Sequence, residues 1–525
     1  MWTTQTKLFE QGDIKPMKYM KKLMTLLAVL TLALAMAVPA FAEPTTYTIT
    51  IKNGTGTYAA YQIFKGDLHE STLSNIQWGN GVTAAGQTAL GNAAEKAEII
   101  ANNETAAKTF AVEVAKYLTD TPAATSTTSA TGITSIKGLD AGYYLIKNTA
   151  VGDNEVFTDY ILQVVNNVEV EPKSGKPTLD KQIKHNESGE WGVVGDNQIG
   201  DTVEFRTTTT VPNVSGYTYY KYTIYDEMSE GLTSNVKSAA DVTIKVNDST
   251  VLDKTYYSVA VDSDNKNKFT VIVNVLEAIK NNVMSTGDTL YTYYTGTLNE
   301  NAKVYDEGKQ DNKAYLEYSN NPHDTTATTK TPEKVVYDWT FKMAISKVDG
   351  ADSNTQLEGA KFVLSKSQGL DLGTISDDGV PTNKENLIRL IDNHNGSYTV
   401  APAGYTGSVV YVMTAGNITI KGLDDTTEYY LYETKAPAGY NRLTEAVKFK
   451  INASYDGTGS NCTSVTTQVD NNLAQQGLSI AVKNNKGTTL PSTGGIGTTL
   501  FYVIGGVLMA VAAVLLVTKK RMNNK

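Results

Sequence analysis

Phe341-Lys342-Met343-Ala344-Ile345-Ser346-Lys347 alternates apolar and polar residues. A period of two marks a strand with one buried face, because successive side chains point to opposite sides of a sheet. The apolar face carries Phe341, Met343 and Ile345, and the next residue in phase is Lys347. A lysine in phase with a core needs a chemical reason, since burying an unpaired charge is expensive. Two other segments end the same way: Leu478, Ile480 and Val482 are in phase with Asn484, and Tyr429 and Leu431 with Glu433. An amine, a carboxamide and a carboxyl therefore point into one β core.

A second set occurs upstream. Leu179, Lys181 and Ile183 share a face; Tyr222 and Ile224 lead to Asp226; Leu316 and Tyr318 lead to Asn320. Glu204, in Val203-Glu204-Phe205, is another acid in the middle of that region. Asn321 and Asn485 adjoin the chosen asparagines but are out of phase and rank second. The reading is a pair of intramolecular Lys–Asn isopeptide bonds. Burial lowers a lysine pKa, so a neutral amine can attack the amide, and raises that of an acid, so it can bind the Asn carbonyl and pass the proton to departing ammonia. No cofactor or metal is needed. Lys181 and Asn320 are 139 residues apart, and Lys347 and Asn484 are 137 apart. On loop entropy, closure of that size is worth about 5 kcal/mol.

The rest of the chain agrees with a β protein. It has 525 residues, 31 Tyr and 42 Gly against 13 Pro, a composition of strands and tight turns over several domains. Only Cys462 and four scattered histidines (His69, His185, His323, His394) are present, which leaves no disulfide framework and no Cys/His metal cluster.

The ends place the chain. Four lysines (15, 18, 21, 22) precede an apolar run over 23–38 and Ala40-Phe41-Ala42, the pattern of a signal peptide cleaved after Ala42; the residues before Met17 read as an upstream mis-start. At the other end, residues 499–518 are long and apolar enough for a transmembrane helix, and the basic tail 519–525 stays in the cytoplasm by the positive-inside rule. Leu490-Pro491-Ser492-Thr493-Gly494 stands just before that helix and resembles the LPXTG sorting signal of Gram-positive surface proteins. The chemistry implied is attack of a sortase thiolate on the Thr493 carbonyl, release of Gly494 with the helix, and resolution of the thioester by an amine. The leader carries +3 and the released tail +4, so a chain of net −9 leaves −16 on its mature exterior, which argues against a nucleic-acid partner.

Composition divides the mature part into 43–172, 174–330 and 335–487, with linkers at 171–177 and 325–332. The first holds an Ala-rich, helix-prone segment, 84–118, between strand-like flanks. Ile136-Lys137-Gly138-Leu139-Asp140 with Tyr143-Tyr144-Leu145 recurs as Ile420-Lys421-Gly422-Leu423-Asp424 with Tyr429-Tyr430-Leu431, so the first and third domains are expected to share a β-sandwich. The repeat sets Lys147 where the third domain has Glu433. With no acid there, no isopeptide bond is expected in the first domain; Lys52 with Asn166 or Asn167 is a weak pair.

Three motifs together resemble the sortase-assembled backbone pilins of Gram-positive bacteria. Tyr430-Leu431-Tyr432-Glu433-Thr434-Lys435-Ala436-Pro437-Ala438-Gly439-Tyr440 is similar to that family's E-box, 490–494 to its sorting signal, and Val168-Glu169-Val170-Glu171-Pro172-Lys173 to its pilin motif, with Glu171 where Tyr is common. The resemblance implies tandem immunoglobulin-like domains, CnaA-type for the second and CnaB-type for the third. It also implies that Lys173 is the nucleophile joined to Thr493 of the next subunit, with Lys176 the alternative. The implied partners are pilus-class and housekeeping sortases, further copies of the chain, ancillary pilins, peptidoglycan and a possible host surface ligand. Such a protein is no enzyme beyond its own bond formation. The other reading is a monomeric wall-anchored adhesin, which shares the anchor and has no use for Lys173.

Overall fold

The computed structural model describes residues 46–101, 103–150, 159–170, 176–214, 216–322, 324–414, 416–487 and 496–522. The expected signal cleavage at Ala40 and Ala42, the linking Lys173 and the sorting residues Leu490, Pro491, Ser492, Thr493 and Gly494 lie outside the described residues.

The described chain is built from sheets packed in pairs. In the N-terminal part, Thr134–Leu139, Tyr47–Ile51 and Val168–Val170 form one sheet, and Thr72–Trp78, Thr57–His69, Gly142–Ala150 and Asp159–Val164 order a second, with Ala124–Thr127 beside Thr57–His69. Ile49, Ile51, Tyr58, Ile136, Leu139 and Tyr144 fill the space between the sheets. The Ala-rich segment forms three helices, Ala84–Leu90, Ala93–Ala101 and Glu104–Val114, which bury Ile100, Phe110 and Val114 against Phe64 and Tyr143. Side-chain oxygens of Thr83 and Asn103 cap two of them by accepting the Gly86 and Ala106 N–H groups.

In the middle part, Leu179–Lys184, Thr202–Thr210 and Thr289–Leu298 lie side by side in one sheet; Lys334–Trp339, Gln310–Ser319, Tyr222–Met228 and Lys268–Val273 lie side by side in the other. Inward residues alternate along each strand, as in Thr289–Leu298, where every second side chain is buried. Asn247 and Asp248 both take positive φ (51° and 55°), the left-handed pair that closes a tight hairpin between Thr243–Val246 and Thr250–Val251. Lys334–Trp339, expected to open the next domain, pairs instead with Gln310–Ser319 and Val194–Asp196. Sheet membership changes between Trp339 and Phe341: the Trp339 ring lies against both Tyr305 of the middle part and Tyr455 of the C-terminal part, and its Nε1–H donates to the Gly459 carbonyl (3.0 Å).

In the C-terminal part, Phe341–Asp349 lies between Asn417–Leu423 and Ser479–Asn484, and Lys361–Ser365, Glu428–Lys435 and Val447–Tyr455 form the facing sheet. The first and last strands run parallel, with Lys347 opposite Val482 and Asp349 opposite Asn484. After it comes a helix, Ile496–Met522, whose stretch Phe501–Met522 is long and apolar enough to cross a membrane.

Candidate functional site

Each polar residue in phase with the third core is buried. Lys347 and Asn484 are fully covered and Glu433 nearly so. The parallel register brings Lys347 and Asn484 together on adjacent strands. Lys347 Nζ donates to the Val482 carbonyl (3.0 Å) and to the Asn484 carboxamide oxygen. Glu433 reaches the pair from the facing sheet: its two carboxylate oxygens accept from Asn484 Nδ2 at 3.0 and 2.9 Å, and one lies 3.7 Å from Lys347 Nζ. The acid thus touches the nitrogen that would leave, rather than the carbonyl oxygen. It also stands beside the amine that must lose a proton, the position a relay between the two requires. Burial lowers the Lys347 pKa to about 8 against the opposing pull of Glu433, so about a tenth of the amine is neutral near pH 7.

The segment after Glu433 completes this cluster. Gly439 takes φ 82°, which a side chain would resist, and turns the chain so that the Asn441 carbonyl accepts from Asn484 Nδ2 (2.8 Å) and the Leu443 N–H donates to Glu433 (2.7 Å). Tyr440 Oη donates to Asp349 at the end of the first strand (2.7 Å).

In the middle part, Lys181 and Asp226 are also buried, on facing sheets, with Lys181 Nζ 2.5 Å from Asp226 Oδ2. The Tyr294 hydroxyl hydrogen-bonds with both. Burial drives Lys181 down and Asp226 up, each opposed by the other's charge, which favours a neutral amine beside a protonated acid. Glu204 instead sits on the outer face and takes an ion pair with Lys184 (2.9 Å), so Asp226 is the acid of this cluster.

The asparagine that the structure sets beside Asp226 is Asn312, not Asn320. Asp226 is opposite Ala314 in the register, so Asn320 lies six residues along, about 20 Å from that row, beyond the end of Gln310–Ser319, and is only half-buried. Asn312 lies two residues from Ala314 in the other direction, on the same face, and is 1% exposed. It acts on both Asp226 and Tyr294 as a hydrogen-bonding neighbour, yet neither of its carboxamide atoms closes a well-formed hydrogen bond. A buried amide so poorly satisfied costs about 1–3 kcal/mol. Asn312 shares its phase with Asn320: alternation selects a face and leaves the position along the strand open. Tyr294 carried no phase signal of its own.

In the N-terminal part, Lys52 is exposed and paired with Glu169, Lys147 is half-buried, and the Asn167 side chain accepts the Thr48 N–H (2.9 Å). None of them enters a core. Lys176, the alternative linking lysine, is half-buried, and Asn485 and Asn321 stand at strand ends. Cys462 is half-buried, and burial pushes its thiol pKa up, away from nucleophilic use.

Comparison with known proteins supplies the context. Residues 341–462 match a Prealbumin-like fold domain and residues 482–524 an LPXTG cell wall anchor motif. The trypsin-resistant surface T6 protein of Streptococcus pyogenes is 26% identical, over 66% of this chain and 70% of that protein. The fimbrial subunit type 2 of Actinomyces naeslundii is 26% identical, over 66% of this chain and 60% of its own length. Among solved structures, the T6 backbone pilin aligns with a TM-score of 0.47 at 16% identity (86% of this chain, 100% of that one), and the major pilin SpaD of Corynebacterium diphtheriae with 0.46 at 18% (87% and 100%). Fold and anchor define a cell-wall-anchored surface protein made of β-sandwich domains. Within that class, its E-box, pilin-motif and sorting-signal residues resemble those of the backbone pilins, and its curated relatives include fimbrial subunits.

Proposed function

We propose that the chain is the backbone subunit of a covalent pilus, in which Thr493 of one subunit is amide-linked to Lys173 of the next by a sortase. The housekeeping sortase then attaches the finished fibre to peptidoglycan, and ancillary pilins decorate it. The observation that carries this reading is the contact of Lys347 with Asn484, on the first and last strands of the domain that precedes the sorting signal. A fibre pulled along its length loads those two strands, and a bond between them passes tension on without unzipping the sheet.

Two internal bonds belong to the same reading: Lys347 to Asn484, promoted by Glu433, and Lys181 to Asn312, promoted by Asp226. In each, the neutral lysine nitrogen attacks the asparagine Cγ, the new N–C bond replaces the C–Nδ2 bond, and the acid carries the amine's proton to the nitrogen that leaves as ammonia.

An immunoblot of wall extracts after boiling in denaturant tests the polymer. A multimer ladder that collapses to monomer in Lys173→Ala supports it. A ladder that persists moves the link to Lys176 or another lysine, and monomer alone in both strains favours the wall-anchored adhesin.

A further inference from the structure

A second buried cluster lies between the middle and C-terminal parts, away from both lysines. Asp424 and Asp425 follow the strand Asn417–Leu423, and Asp196 ends the strand Val194–Asp196 of the neighbouring part. One carboxylate oxygen from each lies within 4.8 Å of the others, and all three residues are buried. Two oxygens bound to one calcium ion at about 2.4 Å are at most about 4.8 Å apart, so the spacing fits a shared ion.

Acidic residues gathered in this way do not by themselves make a site; the bonding of their oxygens does. Asp424 Oδ2 accepts from Asn186 Nδ2 (3.0 Å) and Thr427 Oγ1 (2.8 Å), and Asp425 Oδ2 from the Ala453 N–H (3.1 Å) and the Tyr455 hydroxyl (3.3 Å). Both Oδ1 atoms are buried with no donor. Asp196 comes from a different sheet, its side chain is completely covered, and neither of its oxygens has a donor, although His185 Nε2 lies 3.3 Å from one. One oxygen of each loop carboxylate is thus fixed by neighbours while the other is left over, the arrangement by which outer partners orient metal ligands. Asp338, whose Oδ1 accepts from Asn197 (2.7 Å), adds another buried carboxylate nearby with a free Oδ2.

We infer that Asp196, Asp424 and Asp425 bind one calcium ion at the junction of the two C-terminal sandwich parts. An all-carboxylate donor set suits a hard cation, and the ion offsets the charge that the junction buries. The site stiffens the joint, because its ligands come from both sides of it. Direct contacts cross alongside: the Ile199 N–H donates to the Gly422 carbonyl (3.1 Å), and the Tyr429 hydroxyl to Gln198 (3.1 Å). This inference stands apart from the pilus reading, since an adhesin monomer would carry the same site.

The test uses the full chain, purified in detergent, stripped with chelator, refolded with calcium chloride and dialysed, with bound calcium counted by elemental analysis. One calcium per chain is expected, together with a melting temperature that rises on adding calcium. Asp196→Asn and Asp425→Asn should weaken binding by at least about tenfold and abolish the shift, while Asp241→Asn, exposed in the 3-10 helix Ala239–Asp241, keeps both. Wild-type protein with no stoichiometric calcium overturns the inference whatever the variants do. So does calcium retained undiminished in Asp196→Asn.

Discussion

Lys347 Nζ hydrogen-bonds the carboxamide oxygen of Asn484, 137 residues further along the chain, with both side chains fully buried and the two strands parallel neighbours. Glu433 contacts the nitrogen of that carboxamide from the opposite sheet. Amine, electrophile, leaving group and proton carrier thus meet in one dry pocket, where proximity alone lowers the barrier substantially.

Glu433→Gln keeps the shape and removes the proton carrier. The third domain should then retain the ammonia that the proposed bond releases, visible by intact mass. With a cross-link worth about 5 kcal/mol gone, its melting temperature should fall by about 10–20 °C. Normal ammonia loss in this variant would remove Glu433 from the chemistry.

The register of Asp226 against Ala314 makes a sharper claim about the middle domain. Asn312→Ala should abolish its ammonia loss, whereas Asn320→Ala should leave it intact. The opposite pattern would restore Asn320 and refute the structural assignment.

Tyr294 joins Lys181 to Asp226 through its hydroxyl. Tyr294→Phe should leave the bond able to form but slow it by about tenfold, the worth of one such hydrogen bond. Pulse-labelling followed by mass analysis of the middle domain measures this, and an unchanged rate would reduce Tyr294 to packing.

Asn484→Ala leaves Lys347 unbonded and titratable. Its folded pKa, about 8, lies below the ordinary 10.5, so between those values the unfolded chain binds a proton that the folded chain does not. Stability must then rise with pH across that window, the burial penalty being full below about 8 and gone above 10.5. The urea midpoint of the third domain in Asn484→Ala should be higher at the alkaline end of the window than at neutral pH. The proposed amide leaves no amine to titrate, so in wild type this contribution should be missing.

Much of this was legible in the sequence because period-two alternation carries the core face explicitly. Phe341, Met343 and Ile345 point to Lys347, and the structure buries all four on one face. Alternation is silent on the coordinate along a strand. Asn312 and Asn320 lie in phase on the same segment, and only the pairing of Tyr222–Met228 with Gln310–Ser319 separates them. The same limit hid the strand Lys334–Trp339, whose composition fits either neighbour. It also hid Asp196 beside Asp424 and Asp425, residues brought together by packing between sheets distant in sequence.

The most direct test of the pilus is to isolate the linking peptide from purified high-mass fibres and sequence it by mass spectrometry. A branched peptide with the Thr493 carboxyl on the Lys173 side-chain nitrogen is predicted. Thr493 found only on peptidoglycan amines, with every lysine of the chain unmodified by it, would contradict the account and leave a singly anchored surface protein.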